Sequence, residues 1–362
     1  MKTVRIQLGE RSYEIYVGQA IPALGKTMKK YHFNARTLVV TDPAVGKHYA
    51  AAVVDSLTAS GCQVAVEEVP SGESSKSLRE AERLFSVCAR QAMERRSPIV
   101  ALGGGVIGDL TGFVAATYLR GLPLVMIPTT LLAQVDSAIG GKVAVNLAEG
   151  KNLVGAFYQP ALVFTDPATL LTLPEREFVS GLAEIIKYGV IMDVNYFKYL
   201  ESNMPAIRGR DPAALEYLII QACQYKGRIV EADEHEAAQR AFLNFGHTIG
   251  HALEAATSYA RYLHGEAVAI GMVCAGRIAC DLRMLESKDL ERLRTLIVSA
   301  GLPDRFDRSI SPEAVIEHLQ WDKKVQEGKL RFILPQNIGR VVVRESVKPE
   351  LIRQVLDESR SE

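Results

Sequence analysis

The sequence predicts a two-part fold, an α/β first half built on a mainly parallel sheet and a mostly α-helical second half. Three observations predict it. Short β-branched runs alternate with segments of helical periodicity up to Leu173 and Pro174. Beyond that point strands nearly vanish and helical segments follow one another. The length, 362 residues, also exceeds what one hydrophobic core usually supports. A boundary at Pro174 gives domains of residues 1–173 and 174–362.

The elements follow in order. Residues 2–8 and 12–17 alternate polar and apolar around Gly9 and Glu10 and read as a hairpin. Residues 36–41, 63–69, 98–102, 122–127 and 161–165 are the strand candidates. Between them lie helical patterns such as Leu78, Ala81, Leu84, Phe85 and Cys88. This alternation implies a sheet covered on both faces. In the second half, residues 175–190, 212–231, 240–258, 265–283 and 288–299 read as helices, with one hairpin around residues 330–343.

Composition narrows the function. Lysine plus arginine total 42 and aspartate plus glutamate 42, so no net field favours nucleic acid or an anionic membrane. Cys62, Cys88, Cys223, Cys274 and Cys280 form an odd set without a C-x-x-C pair, as expected of reduced residues. The amino terminus lacks the apolar core of a signal peptide, and Arg120 interrupts the longest uncharged run. A soluble, cytoplasmic protein is expected.

Two motifs carry chemistry. The strand Ile99, Val100, Ala101, Leu102 runs into Gly103-Gly104-Gly105-Val106-Ile107-Gly108-Asp109, a G-x-G-x-x-G at a helix start, where backbone N–H groups can approach a pyrophosphate. A plain tight turn would use the same glycines. The usual Rossmann acid about twenty residues further on is missing. Asp42, at the carboxyl edge of an earlier strand, stands where such a carboxylate is expected. The loop Ser71, Gly72, Glu73, Ser74, Ser75, Lys76 precedes a helix and also reads as an N-capping turn. The second motif places His247 and His251 four residues apart, hence on one helix face, with His264 shortly after. That pattern suits half of a metal site. It suits two buried histidines against a neighbouring helix equally well.

Taken together, these stretches closely resemble the 3-dehydroquinate synthase family of the sugar phosphate cyclase superfamily. The resemblance rests on Gly-Gly-Gly-Val-Ile-Gly-Asp at 103–109, Pro-Thr-Thr-Leu-Leu-Ala-Gln-Val-Asp-Ser at 128–137 and Gly-Lys-Val-Ala-Val-Asn at 141–146. It continues through Gly-Lys-Asn-Leu-Val-Gly-Ala-Phe at 150–157, Gly-Leu-Ala-Glu-Ile-Ile-Lys-Tyr-Gly at 181–189 and the histidine segment. The resemblance implies a Rossmann-like NAD-binding domain followed by a helical metal- and substrate-binding domain. It makes Glu184, His247 and His264 the ligands of a divalent metal, zinc or cobalt, with His251 facing the substrate. By spacing alone, Glu184 and Lys187 would be an ordinary i,i+3 surface ion pair.

The dinucleotide contacts it implies are Asp42, Glu73, Ser74, Ser75, Lys76, Gly104, Gly105, Val106, Ile107, Gly108, Asp109, Thr129, Thr130, Lys142 and Lys151. Thr169, Leu170, Leu171 and Thr172 would close that site. Substrate contacts would be Arg120, Asp136, Lys142, Asn152, Lys187, Lys226, Arg240, Asn244 and Lys323, in preference to Lys324. Glu236 and His251 would handle protons, although Ala237 and Ala238 stand where family members often carry a glycine. The implied substrate, 3-deoxy-D-arabino-heptulosonate 7-phosphate, is doubly anionic, and a neutral chain must hold it by local cations. The implied reaction oxidises C5 transiently with NAD, eliminates phosphate, reduces the ketone again and closes the ring. A homodimer is expected. The readings to be separated from this one are an NAD-dependent polyol dehydrogenase, a cyclase making a valiolone or inosose ring, and a non-catalytic nucleotide-binding regulator on the same scaffold.

Overall fold

A computed structural model of the chain describes residues 1–235, 239–320, 331–345 and 347–361. The first half contributes nine strands: β1 (Lys2–Ile6), β2 (Tyr13–Val17), β3 (Arg36–Thr41), β4 (Gln63–Glu68), β5 (Ile99–Gly103), β6 (Leu124–Pro128), β7 (Lys142–Leu147), β8 (Gly150–Phe157) and β9 (Leu162–Thr165). Four helices alternate with them: α1 (Ala20–Met28), α2 (Pro43–Thr58), α3 (Leu78–Arg90) and α4 (Gly105–Thr117). Seven strands form one sheet in the order β1-β2-β9-β6-β5-β3-β4, and every pairing after the β1–β2 hairpin is parallel.

Every residue of β5, β6 and β9 is buried, as the uninterrupted apolar runs require of a parallel sheet covered on both faces. On one face Ile21, Leu24, Val53 and Leu57 of α1 and α2 pack against Val39, Val100, Val125 and Phe164. The chain leaves β3 for β4 on one side and returns through β5 to the other. The carboxyl ends of β3 and β5 therefore flank the switch point, where parallel sheets bind ligands. Asp42 follows the first and Gly104 the second. The β7–β8 hairpin, for which the sequence offers no strand signal of its own, forms a separate two-stranded sheet against α4.

The remaining helices are α5 (Glu175–Met192), α6 (Val194–Arg208), α7 (Pro212–Ala232), α8 (His247–Ala256), α9 (His264–Asp281), α10 (Ser287–Ser299), α11 (Pro312–Gln320) and α12 (Pro349–Glu358), with a hairpin of β10 (Arg331–Asn337) and β11 (Arg340–Glu345). The chain divides into two compact units, Met1–Leu173 with Leu215–Glu231, and Pro174–Ala214 with Ala232–Glu362. Most of α7 thus joins the first unit.

The periodicity predicts one helix over 240–258. The structure instead has a 3-10 turn, Gln239–Asn244, and then α8, because Gly246 sits at φ +79°, a left-handed conformation that ends one helix and starts the next. The helices α6, α11 and α12 were not anticipated. All five cysteines are free. Among the described residues no helix is long and apolar enough to cross a membrane.

Candidate functional site

In the second unit, α5 is buried from Phe178 to Ile191, and the only charges in that stretch are Glu184 and Lys187. A helix apolar on all sides belongs in a core, and a charge placed there is costly unless partnered. Glu184 is therefore not half of a surface pair. Its carboxylate is fully buried and the Lys187 ammonium rests against it. From α8 and α9, His247 Nε2 lies 3.5 Å and His264 Nε2 3.7 Å from Glu184 Oε1. Neither Glu184 oxygen makes a well-formed hydrogen bond.

Donor atoms of Glu184, His247 and His264 all lie within 4.8 Å of one another. Two ligands held at about 2 Å from one cation are separated by at most about 4 Å, a limit that the two carboxylate–imidazole separations of 3.5 and 3.7 Å meet, so this donor set suits a divalent metal. The fit is supported locally. His247 Nδ1 faces the Phe245 carbonyl at 3.1 Å, which leaves Nε2 toward Glu184. His264 Nδ1 lies 3.4 Å from Glu254 Oε2.

The start of α9 is pinned. Glu266 Oε2 accepts from the Leu263 N–H at 2.8 Å, and Arg176 donates to both Glu266 oxygens at 2.7 and 2.8 Å. Beside His264, a Cβ at Gly265 would stand 1.8 Å from the Ser180 carbonyl, so only glycine lets α9 approach α5 this closely. The rings of His247 and His251 are 5.3 Å apart at their centroids, yet His251 groups with Glu254 and His264 rather than with Glu184.

Burial pushes the Glu184 carboxyl up, but Lys187 and His264 outweigh it and hold it down at about 2. Burial disfavours the charged form of His264, while Glu184 and Glu254 together push its imidazolium up to about 10.

In the first unit, α4 starts at Gly105 without a side-chain cap, an end of the kind that can receive an anion. A Cβ at Gly108 would meet open space, whereas Gly104 faces Thr130. Val106 is half-buried and Ile107 buried. This suits a diphosphate, and hence a dinucleotide. Asp42 Oδ1 accepts from the Ala44 and Val45 N–H groups and from Ser71 Oγ, so this carboxylate caps α2. The 3-10 turn Glu73–Ser75 leads to Lys76, which is buried and donates to Asp109 and, at 2.5 Å, to Asn152 Oδ1. Burial pushes the Asp109 carboxyl above its ordinary value even with that ammonium beside it.

Glu73 Oε1 accepts from Asn146 Nδ2 at 2.8 Å and lies 4.0 Å from Lys151 Nζ. Ser74 is exposed and Ser75 buried. Thr129 is buried with its hydroxyl unpaired, and Thr130 Oγ1 accepts from the Ala133 N–H. In the turn Pro167–Thr172, Thr169 Oγ1 accepts from Gln134 Nε2 at 2.9 Å and Tyr49 meets Thr172 at 2.5 Å. Leu170 is buried and Leu171 exposed.

The expected substrate residues divide between the units. In the first, Lys226 Nζ lies 2.5 Å from Asp136 Oδ1, and Asp136 sits on a π-helical turn, Ala133–Ser137, of the kind that re-aims functional side chains. Arg120, Lys142 and Asn152 are exposed, and both Arg120 and Asn152 have positive φ. In the second, Lys187 and Arg240 are buried and Asn244 half-buried, and the Arg240 guanidinium donates to the Glu234 carbonyl at 2.7 Å. Glu236, Lys323 and Lys324 lie outside the described residues.

The model of the 3-dehydroquinate synthase N-terminal domain matches residues 66–180 and that of the C-terminal domain residues 181–325. A curated 3-dehydroquinate synthase from Desulforamulus reducens is 49% identical over 359 residues, 99% of this chain and 100% of the relative. This chain belongs to the 3-dehydroquinate synthase family. Two solved structures are similar along their whole length. A 2-deoxy-scyllo-inosose synthase complexed with carbaglucose-6-phosphate, NAD+ and Co2+ is 27% identical with a TM-score of 0.91, covering 99% of this chain and 100% of that one. The 2-epi-5-epi-valiolone synthase of Streptomyces hygroscopicus, with NAD+ and Zn2+ bound, is 28% identical with a TM-score of 0.89, covering 97% and 98%.

Within the 3-dehydroquinate synthase frame, the residues missed in the sequence are those that hold others in place. Asn146 and Gln134 lie inside the motifs at 141–146 and 128–137, where nothing local marks their partners. Tyr49 and Glu254 carry no local signal, because their partners are 123 and 10 residues away.

Proposed function

We propose that the chain converts 3-deoxy-D-arabino-heptulosonate 7-phosphate into 3-dehydroquinate and inorganic phosphate, with NAD and one divalent cation, zinc or cobalt. One observation carries this reading. Identity to curated 3-dehydroquinate synthases reaches 49% over the whole chain, against 27 and 28% to the inosose and valiolone synthases.

Glu184, His247 and His264 hold the cation. Lys76, Asp109, the uncapped turn at Gly104 and Gly105, and the loops carrying Thr129, Thr130 and Thr169 hold the dinucleotide. When bound, NAD supplies a hydride acceptor that later returns the hydride, and the cation lowers the cost of negative charge on the carbinol oxygen. Arg120, Lys142, Asn152, Lys226, Arg240 and Asn244 bind the anionic groups and hydroxyls of the substrate. Asp136 orients Lys226. His251 takes the C5 hydroxyl proton at a ring nitrogen, directly or through water, with Glu236 assigned to the same proton path. The departing phosphate dianion is itself basic enough to remove the C6 proton, so that step needs no side chain. The protein works as a cytoplasmic homodimer in this reading.

Incubation with the heptulosonate phosphate, NAD and zinc, following inorganic phosphate and the carbocycle together, tests it. Equal release of both without net absorbance at the NADH wavelength is expected. Accumulating NADH with a simple polyol would point to a dehydrogenase, and no turnover to a binding protein.

A further inference from the structure

We propose that Glu254 is a positioning residue for the metal centre, accepting the Nδ1 proton of His264 so that Nε2 faces Glu184 and His247. The inference rests on the reading that those three side chains hold the cation.

A neutral imidazole carries one N–H and one lone pair, and only the nitrogen with the lone pair can bind a metal. The two nitrogens of His264 face two different carboxylates, Nδ1 toward Glu254 Oε2 at 3.4 Å and Nε2 toward Glu184 Oε1 at 3.7 Å. Whatever holds the proton on Nδ1 decides which nitrogen is offered. Glu254 does so from a buried position, 7% exposed. It follows His251 by three residues and His247 by seven, so all three share one face of α8 and the acid is delivered two turns along from the ligand.

His247 has the same arrangement with a different acceptor, its Nδ1 facing the Phe245 carbonyl. A carboxylate acceptor does more than a carbonyl. Its charge raises the electron density at Nε2 and strengthens the bond to the ion. Glu254 also groups with His251 and His264 as a second set of donors within 4.8 Å, so the test must separate orientation from direct ligation.

The full-length protein and its E254A, E254Q and H247A variants are compared by zinc competition against a chromogenic chelator and by the visible spectrum of the Co2+ form. E254A is expected to weaken zinc binding by about 10- to 100-fold at unchanged stoichiometry and to alter the cobalt spectrum. E254Q keeps an acceptor oxygen, so it should fold if E254A does not, and it should lose less affinity. H247A should lose tight zinc altogether. If H247A loses zinc while both Glu254 variants bind it within about twofold of the parent with the parent's cobalt spectrum, the metal centre stands and the positioning role falls. A fall from two bound ions to one in E254Q would make Glu254 a ligand and overturn the proposal. Full zinc binding by H247A would overturn the centre itself.

Discussion

Lys187 lies one helical turn beyond Glu184 on α5, and its ammonium rests directly against the Glu184 carboxylate with both side chains sealed from solvent. Lys187 is thus the counter-charge of the carboxylate proposed above to bind the cation. Replacing Lys187 with Met keeps the side-chain length and removes the charge. Breaking a buried pair costs about 3 to 5 kcal/mol, so the metal-free variant should be destabilised by roughly that amount. Zinc should restore much of the loss, because the ion supplies the missing positive charge. Urea melts with chelator and with zinc check this, and equal losses in both would refute it.

The charged groups here set a pH window. His264 is raised from 6.5 to about 10, with Glu184 and Glu254 overcoming burial, so the folded metal-free chain holds that proton more tightly than the unfolded chain does. Its contribution to stability is full below about 6.5 and is lost as pH rises toward 10. Glu184, lowered from 4.5 to about 2 by Lys187 and His264 against the effect of burial, contributes above about 4.5 and loses that contribution as pH falls toward 2. From these two groups, the metal-free protein should be most stable between roughly pH 4.5 and 6.5. Zinc must displace the His264 proton, so its affinity should rise about tenfold per pH unit across neutrality. Chelator competition at several pH values would show a flat profile if that proton were absent.

Lys142 and Arg240 separate binding from folding. Lys142 is exposed at the start of β7, so Lys142→Ala should leave the melting temperature unchanged while weakening substrate binding by about 1.5 to 3 kcal/mol. Arg240 is buried and donates to the Glu234 carbonyl, so Arg240→Ala should lower both substrate affinity and stability. Steady-state KM and thermal melts distinguish the two. Unchanged kinetics in both variants would remove these residues from the substrate site.

Lys76 shares its ammonium between Asp109 and Asn152. Asp109→Asn removes the charged partner and frees the loop after β4 from the start of α4. A lost charge-assisted bond worth about 1.5 to 3 kcal/mol should weaken NAD binding at least about tenfold. Quenching of protein fluorescence by NADH would reveal it, and an unaltered titration would mean that this contact serves folding alone.

Much of the fold was legible because its signals are local. The strands β3, β5, β6 and β9 announce themselves as short apolar runs rich in β-branched residues, and α5 and α9 as long, proline-free apolar segments in which isolated glycines do not break the helical pattern. The β7–β8 hairpin was not legible, since its register depends on packing against α4 rather than on an alternating pattern. The break before α8 was hidden because the Gly246 conformation is set by its neighbours. Spacing brought His247 and His251 together but could not see that His264, 17 residues beyond His247 and at the head of another helix, shares a carboxylate with His247. Nor could it see that Glu184 and Lys187 are buried, because an i,i+3 acid–base pair looks the same on a surface helix.

Lys76, Lys187 and Lys226 each already lean on an acid, Asp109, Glu184 and Asp136 respectively. An anion reaching any of these ammonium groups must evict a resident, so recognition is an exchange of partners instead of a fresh attraction. Stray inorganic anions offer little that the residents do not, and should compete poorly even at millimolar levels. Only a guest that offers an ammonium group more than its resident acid does displaces that acid, so a chain with no overall charge keeps these cations occupied.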